Sequence, residues 1–530
     1  MATFKLDGED ITFEPGDTVI RAAWRAGREI PHYCWHPGLS VAANCRMCLV
    51  EITSGRKIDM PILKWDAKKS DYVPATKPKL QPACQFQASE GLEVSSKSEP
   101  VKQAQGAVQE FLLLNHPVDC PICDQAGECK LQDYYLEHQG TPKRKLTEPV
   151  HKPKGVRFGP TIVYDAERCI MCTRCIRVCD ELAGDHVLDM RERGNRNEIV
   201  LAPGRELDHK YSLMTEHVCP VGALTSRDFR FKARVWFLKS APGVCNGCSK
   251  GCNTHVDFDP RYGKVYRLRP RDNMDVNKFW MCDDGLMTYE EAHDNRLFMG
   301  RVGRGEAGDF VGAADAIAEA AQALKSVDGN EIAVVLSAQN STEDNYALAR
   351  LGRALGATRQ YLAAKGGWEG DDILREADNN PNRAGATAAA GSAFAGTVSD
   401  LAEHVASGDV RAVLALGSHT AADTASLAKL EGLERFICLA SNGGGMADAA
   451  QVAIPIANWA EAHGSFTNSA GTNQPFKRAI PAAPGIEPGW RAIASLAAAL
   501  GHDLGFHRVQ DVRAAMKPAS ADSDTTEARA

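Results

Sequence analysis

The chain has 530 residues and a formal net charge of −7, with 44% hydrophobic and 24% charged residues, the balance of a globular protein of about three to five domains. The negative charge argues against nucleic acid as the main partner. No apolar run approaches the roughly 18 residues that cross a bilayer, and the opening MATFKLDGED has no apolar signal core, so a cytosolic protein is expected that reaches a membrane only through partners.

TFKLDGEDITF alternates around an Asp-Gly turn signal and predicts a hairpin. TVIRAAWRAGR places Ile20, Ala23 and Trp24 at helical spacing, with Gly27 at the stop. A loop carrying Cys34, Cys45 and Cys48 follows. Residues 54–80 are polar, with three prolines and many lysines, and are expected to form an insertion loop. LQPACQFQASEGLEV returns to strand-like residues and carries Cys84, and residues 101–140 look helical. After about residue 295 the composition turns Ala/Gly-rich. EIAVVLSA, VRAVLALGS, FICLAS and QVAIPIA read as short buried strands, alternating with helices such as EDNYALARLGRALG. That alternation predicts an α/β unit with a mostly parallel sheet. KPASADSDTTEARA at the end is small and polar and is expected to be disordered.

Of the 17 cysteines, all but Cys438 precede residue 283. In a cytosolic chain such clustering points to metal ligands rather than disulfides. The first group is Cys34-x10-Cys45-x2-Cys48-x35-Cys84. A C-x2-C pair with two remote cysteines can hold a [2Fe–2S] rhomb, although the plant-type first gap is shorter and zinc also uses C-x2-C. The second is NHPVDCPICDQAGEC, with His116, Cys120, Cys123 and Cys129; its spacing fits zinc as well as a [4Fe–4S] cube. The third, Cys169-x2-Cys172-x2-Cys175-x3-Cys179, is the bacterial ferredoxin run. Three cysteines at that pitch wrap one face of a cube, and the remote fourth ligand is a Cys before Pro, here Cys219-Pro220. Cys179 precedes Asp180 and reads as a spare thiol packed on a helix. The fourth group is Cys245-x2-Cys248-x3-Cys252-x29-Cys282, again three close cysteines and one remote, with zinc the alternative. One rhomb and three cubes need sixteen ligands, which fifteen cysteines and His116 supply. Cys179 and Cys438 are left over. A neutral imidazole among thiolates should raise a cluster's potential.

In this order the four groups resemble the large iron–sulfur subunits of respiratory complex I, the family of the bacterial G subunits. HPVDCPICDQAGEC is the most specific match, and QPAC, CIMCTRCIRVCDE and HVCPVGALTS also match. CNGCSKGCN with VNKFWMCDDG resembles the extra cubane of some bacterial members. NRLFMGRVGRGEAGDFVGAADAIAEAA and HGSFTNSAGTNQPFKRAI resemble molybdopterin oxidoreductases. The resemblance implies an α+β and α/β multidomain chain: a β-grasp [2Fe–2S] domain (1–99), a His-and-Cys [4Fe–4S] domain (100–140), and a ferredoxin-like [4Fe–4S] domain (141–235). It then implies a Mo/W-oxidoreductase-type [4Fe–4S] domain (238–294), a shortened, degenerate molybdopterin-oxidoreductase-like domain without molybdopterin (295–516), and a tail (517–530).

By that resemblance the chain has no catalytic residue. It passes electrons from an FMN/NADH-binding subunit and its iron–sulfur neighbours to quinone-side subunits of the peripheral arm, at the cytoplasmic face of the bacterial inner membrane. The alternative is an iron–sulfur subunit of an NAD-linked formate dehydrogenase or hydrogenase. Gly303-x-Gly305-x-x-Gly308, with Asp328 twenty residues on, mimics a dinucleotide fingerprint. RLFMGRV before it makes a poor strand, so no nucleotide is expected there.

Overall fold

In the computed structural model, which describes residues 2–140, 144 and 147–517, Thr3–Leu6 and Glu9–Thr12 pair antiparallel as expected. Asp7 and Gly8 between them have φ of 52° and 90°, the positive values that a two-residue hairpin turn demands. The chain divides into two units, Met1–Phe237 and Leu238–Ala530. The expected disordered tail lies outside the described residues from 518 onward.

The first unit opens with a five-stranded sheet in the order Glu9–Thr12, Thr3–Leu6, Glu93–Ser95, Leu49–Ser54, Gln81–Pro82. Helix Val19–Arg25 buries Val19, Ile20, Ala22 and Ala23 in one core with Phe4, Leu6, Ile11, Val50, Ile52 and Val94. Residues 54–80 correct the expectation of a loop. Asp59–Asp66 and Asp71–Pro78 form a hairpin paired along its whole length. Trp65 packs edge-on against Tyr72 with ring centroids 5.2 Å apart. The prolines that argued for a loop are tolerated because this ribbon has two strands and no further neighbour to donate to. Helices Glu99–Leu113 and Lys130–His138 then pack together. Beyond them Ile162–Tyr164 is flanked by Val156–Arg157 and Leu224–Ser226, and helix Arg174–Val178 runs into a π-helical turn, Cys179–Ala183.

The second unit begins with an antiparallel sheet of Lys239–Val244, Asn253–Asp259 and Lys264–Pro270. Its main sheet has eight strands, in the order Asp309–Val311, Gly300–Val302, Val452–Pro455, Arg435–Ala440, Ala412–Leu416, Ile332–Ser337, Arg359–Ala363, Phe394–Thr397. From Val452 to Thr397 all neighbours are parallel. Alternate residues serve opposite faces: Val334, Leu336, Leu414 and Ile437 enter one core, Ala333, Val335, Val413 and Phe436 the other. This period of two along continuous apolar runs is how a strand covered on both sides reads. The glycine-rich segment joins Gly300–Val302 to Asp309–Val311, an antiparallel edge pair. RLFMGRV thus holds a short strand, second from the sheet edge, and a 3-10 turn at Gly305–Ala307 rather than an α-helix follows it. Gly303, at φ +99°, lies so close to Gly308 that a Cβ would stand 2.8 Å from the Gly308 Cα. These glycines close a tight turn.

Candidate metal centres

The third group shows how local backbone gathers sulfurs. Met171 and Thr173 alternate with the cysteines at φ of 53° and 62°, a region β-branched threonine rarely enters and one that marks a constrained site. The alternation coils the loop so that the Met171 N–H donates to Cys169 Sγ at 3.4 Å. Cys169, Cys172, Cys175 and Cys219 line one small cavity walled by Tyr164, Ile199, Val221 and Leu224. Burial and neighbouring sulfurs push the Cys175 thiol well up, and burial lifts Cys169 to about 11. Protonated thiols are the preferred state of such a pocket until a cation offsets the thiolates. Cys179 stands apart: fully buried, it opens the π-helical turn with His209 Nε2 3.5 Å from its sulfur.

In the second group His116, Cys120 and Cys129 line one pocket with Leu113, Val118, Leu131 and Tyr135. Val118, at φ 52°, turns the chain between His116 and Cys120. Cys123 adjoins: a Cβ on Gly222 would stand 2.4 Å from its Sγ, so the Cys219-Pro-Val-Gly turn cradles this loop. Burial raises the Cys129 thiol to about 11, and the charges of Cys123 and Cys120 add to it.

In the first group the Cys34 N–H donates to Cys45 Sγ at 3.4 Å, and left-handed Ala43 and Arg46 shape the loop. The Cys45 thiol's hydrogen bond lowers Cys34 to about 5. Cys48 lies beside Cys84, whose hydrogen bond raises the Cys48 thiol. The Ala83 N–H holds the Cys48 carbonyl at 2.9 Å.

The fourth group lies wholly in the second unit. Cys282 caps helix Asp283–Met287, accepting from Gly285 N at 3.3 Å. Cys245 and Cys282 sulfurs lie 3.1 and 3.3 Å from where a Gly285 Cβ would be. Cys252 is pushed well up by burial and by the charges of Cys245, Cys248 and Cys282. Cys438 sits inside strand Arg435–Ala440, fully buried. Among the described residues no three Cys, His, Asp or Glu side chains converge on a single-ion position.

Residues outside the cysteine pattern tie these loops together. Arg168, buried next to Cys169, donates to Asp119 from Nε at 3.0 Å and from Nη2 at 2.6 Å, and so links the third loop to the second. Arg174 and Arg177 reach from the third loop to backbone carbonyls of the first. Their only trace in the sequence is basic residues inside a cysteine run, which also describes a solvated helix face.

Three stretches of the first unit match iron–sulfur family models: a 2Fe-2S iron-sulfur cluster binding domain over 1–99, the NADH-ubiquinone oxidoreductase-G iron-sulfur binding region over 105–143, and the ferredoxin-like domain of NADH-quinone oxidoreductase subunit 3 over 159–225. Residues 358–499 match the molybdopterin oxidoreductase model. The NADH-quinone oxidoreductase G subunit of Rickettsia felis is 35% identical over 359 residues, 67% of this chain and 50% of that protein. The G subunit of Streptomyces coelicolor is 34% identical over 67% of this chain and 39% of that protein. This chain is a homologue of the NADH-quinone oxidoreductase G subunit. It spans about half the length, or less, of the curated relatives it matches. A solved chain of an NAD+-reducing [NiFe]-hydrogenase is 30% identical, covering 44% of this chain and 91% of that one, with a TM-score of 0.36. In this G-type homologue no helix among the described residues is long and apolar enough to cross a membrane.

Proposed function

We propose that this chain is an iron–sulfur electron-transfer subunit of NADH-quinone oxidoreductase, peripheral at the cytoplasmic face of the membrane. It would accept single electrons from the FMN/NADH-binding subunit and its iron–sulfur neighbours and pass them to quinone-side subunits of the peripheral arm. The observation that carries this reading is the coincidence of the three matched iron–sulfur segments with three cysteine groups, one of which lines a single cavity with all four of its members. The proposed ligands are Cys34, Cys45, Cys48 and Cys84 for a [2Fe–2S] cluster of a β-grasp domain. For [4Fe–4S] cubes they are His116, Cys120, Cys123 and Cys129; Cys169, Cys172, Cys175 and Cys219; and Cys245, Cys248, Cys252 and Cys282. Bound clusters would supply one-electron redox chemistry. The residues supply thiolates and an imidazole, N–H donors to sulfur, and walls that keep water out.

A molybdenum pterin cofactor fits the second unit poorly, which supports a degenerate domain. The cavity at the carboxyl ends of the parallel strands, about 210 Å³, is lined by Glu291, Asp294 and Asp344, with no lysine or arginine among its lining residues. Such a cofactor carries phosphate, and these carboxylates, of which Glu291 already pairs with Lys365 at 2.6 Å, offer it no charge complement.

The test is iron and acid-labile sulfide per chain on anaerobically purified protein, with EPR after dithionite reduction. About fourteen irons with one binuclear and several cubane signals is the expected result. Stoichiometric zinc without sulfide overturns it.

A further inference from the structure

Arg174 and Arg177 lie on one short helix between the first and third cysteine groups, 5% and 9% exposed. Arg174 donates to the Val218 carbonyl at 3.1 Å and to the Trp35 carbonyl. Arg177 donates to the Ser40 and Cys34 carbonyls at 2.5 Å each and to the Cys172 carbonyl at 3.3 Å. Every acceptor is a backbone carbonyl, and neither Nε has a partner. The nearby carboxylate of Glu181 is exposed and holds the Ser40 N–H at 2.8 Å. Among the described residues neither arginine forms an ion pair with a carboxylate. A guanidinium stays charged at any physiological pH, and burying two side by side without an anion is strongly unfavourable. The fold therefore leaves two cations for which the protein supplies no counter-charge: the groups around them are the histidines His32 and His36, which carry no negative charge, and cysteines, of which Cys172, Cys34 and Cys45 interact with Arg174 and Cys34 with Arg177.

We infer that Arg174 and Arg177 are positioning residues whose charge is balanced by anionic clusters at both the Cys34 and Cys169 groups, and that they raise the reduction potentials of both. This rests on the reading that those groups hold iron–sulfur clusters. Thiolates and sulfides together outweigh the iron charge, so a cluster is an anion, and reduction adds one more negative charge. A fixed cation in a buried, low-dielectric site favours the reduced form. The Arg177 Nη2 also clamps the carbonyls of Cys34 and Cys172, residues of both groups, to one helix, which fixes the spacing between the two sites.

The experiment is potentiometric EPR on the purified full chain and on Arg174→Gln, Arg177→Gln and the corresponding Lys variants, with iron and sulfide measured first. Cluster content in the parent chain tests the underlying reading separately. Given clusters, each Gln variant should lower the midpoints of the binuclear signal and the Cys169-group cube, by at least tenfold in the oxidised-to-reduced ratio, about 59 mV for one electron. The Lys variants should recover most of that shift. Unmoved midpoints at full iron content overturn the inference, as do Gln and Lys variants that shift alike. If the Gln variants fail to retain iron, retention by the Lys variants supports a charge requirement, and equal loss overturns it.

Discussion

At the scale of single residues, chemistry and context leave different traces. Cysteines that can bind iron are conspicuous because few residues bind soft metals, and their spacing reflects a loop's reach. The cations around them are not conspicuous. Arg168, Arg174 and Arg177 become distinguishable from surface arginines only when Asp119, Trp35 and Ser40, remote in sequence, are placed beside them. Asp344 is another case. It sits in the first turn of helix Thr342–Ala354, an ordinary place for an acid, yet it is buried, accepts the Trp490 N–H at 2.6 Å, and burial pushes it up to about 6. Its folded form therefore prefers the proton, so the stability it allows is full below the unfolded value near 4 and falls as pH rises through 6. Asp344→Asn keeps the acceptor without the charge. It should stabilise the second unit by on the order of 3 kcal/mol at pH 8 and about half that at pH 5, read from urea unfolding midpoints. A gain that does not change with pH would contradict the assignment.

At the scale of elements, periodicity is informative where both faces or one face of an element bury apolar side chains. The parallel strands Ile332–Ser337, Ala412–Leu416, Arg435–Ala440 and Val452–Pro455 are readable from their runs alone. Strand Arg359–Ala363, RQYLA, escapes such a reading because Arg359 and Gln360 open it, and burial of Gln360 is a tertiary fact. The Asp59–Asp66 hairpin escapes it because its proline content outweighs its alternation. Packing between loops is also invisible in spacing. Gly222 is one residue of HVCPVGAL, but its missing side chain makes room for Cys123. Gly222→Ala should push that sulfur aside and cost the cluster proposed at His116, lowering iron by about four per chain while the Cys169-group signal persists. Full iron content in this variant would show that the cradle does not matter.

At the scale of the molecule, the split between residues 237 and 238 places three cysteine groups in one unit and the fourth, with the α/β sheet, in the other. Cys282→Ser should therefore remove about four irons and leave the EPR signals of the first three groups unchanged; loss of all cubane signals would argue against independent sites. The order and spacing of the cysteine groups and the α/β character of the last part were legible in the amino-acid order, because each depends on residue type and short spacing. Which loops touch, which arginines lose their water, and which glycine cradles a neighbouring loop depended on the fold, because those properties arise from segments far apart in the chain and from the burial that brings them together.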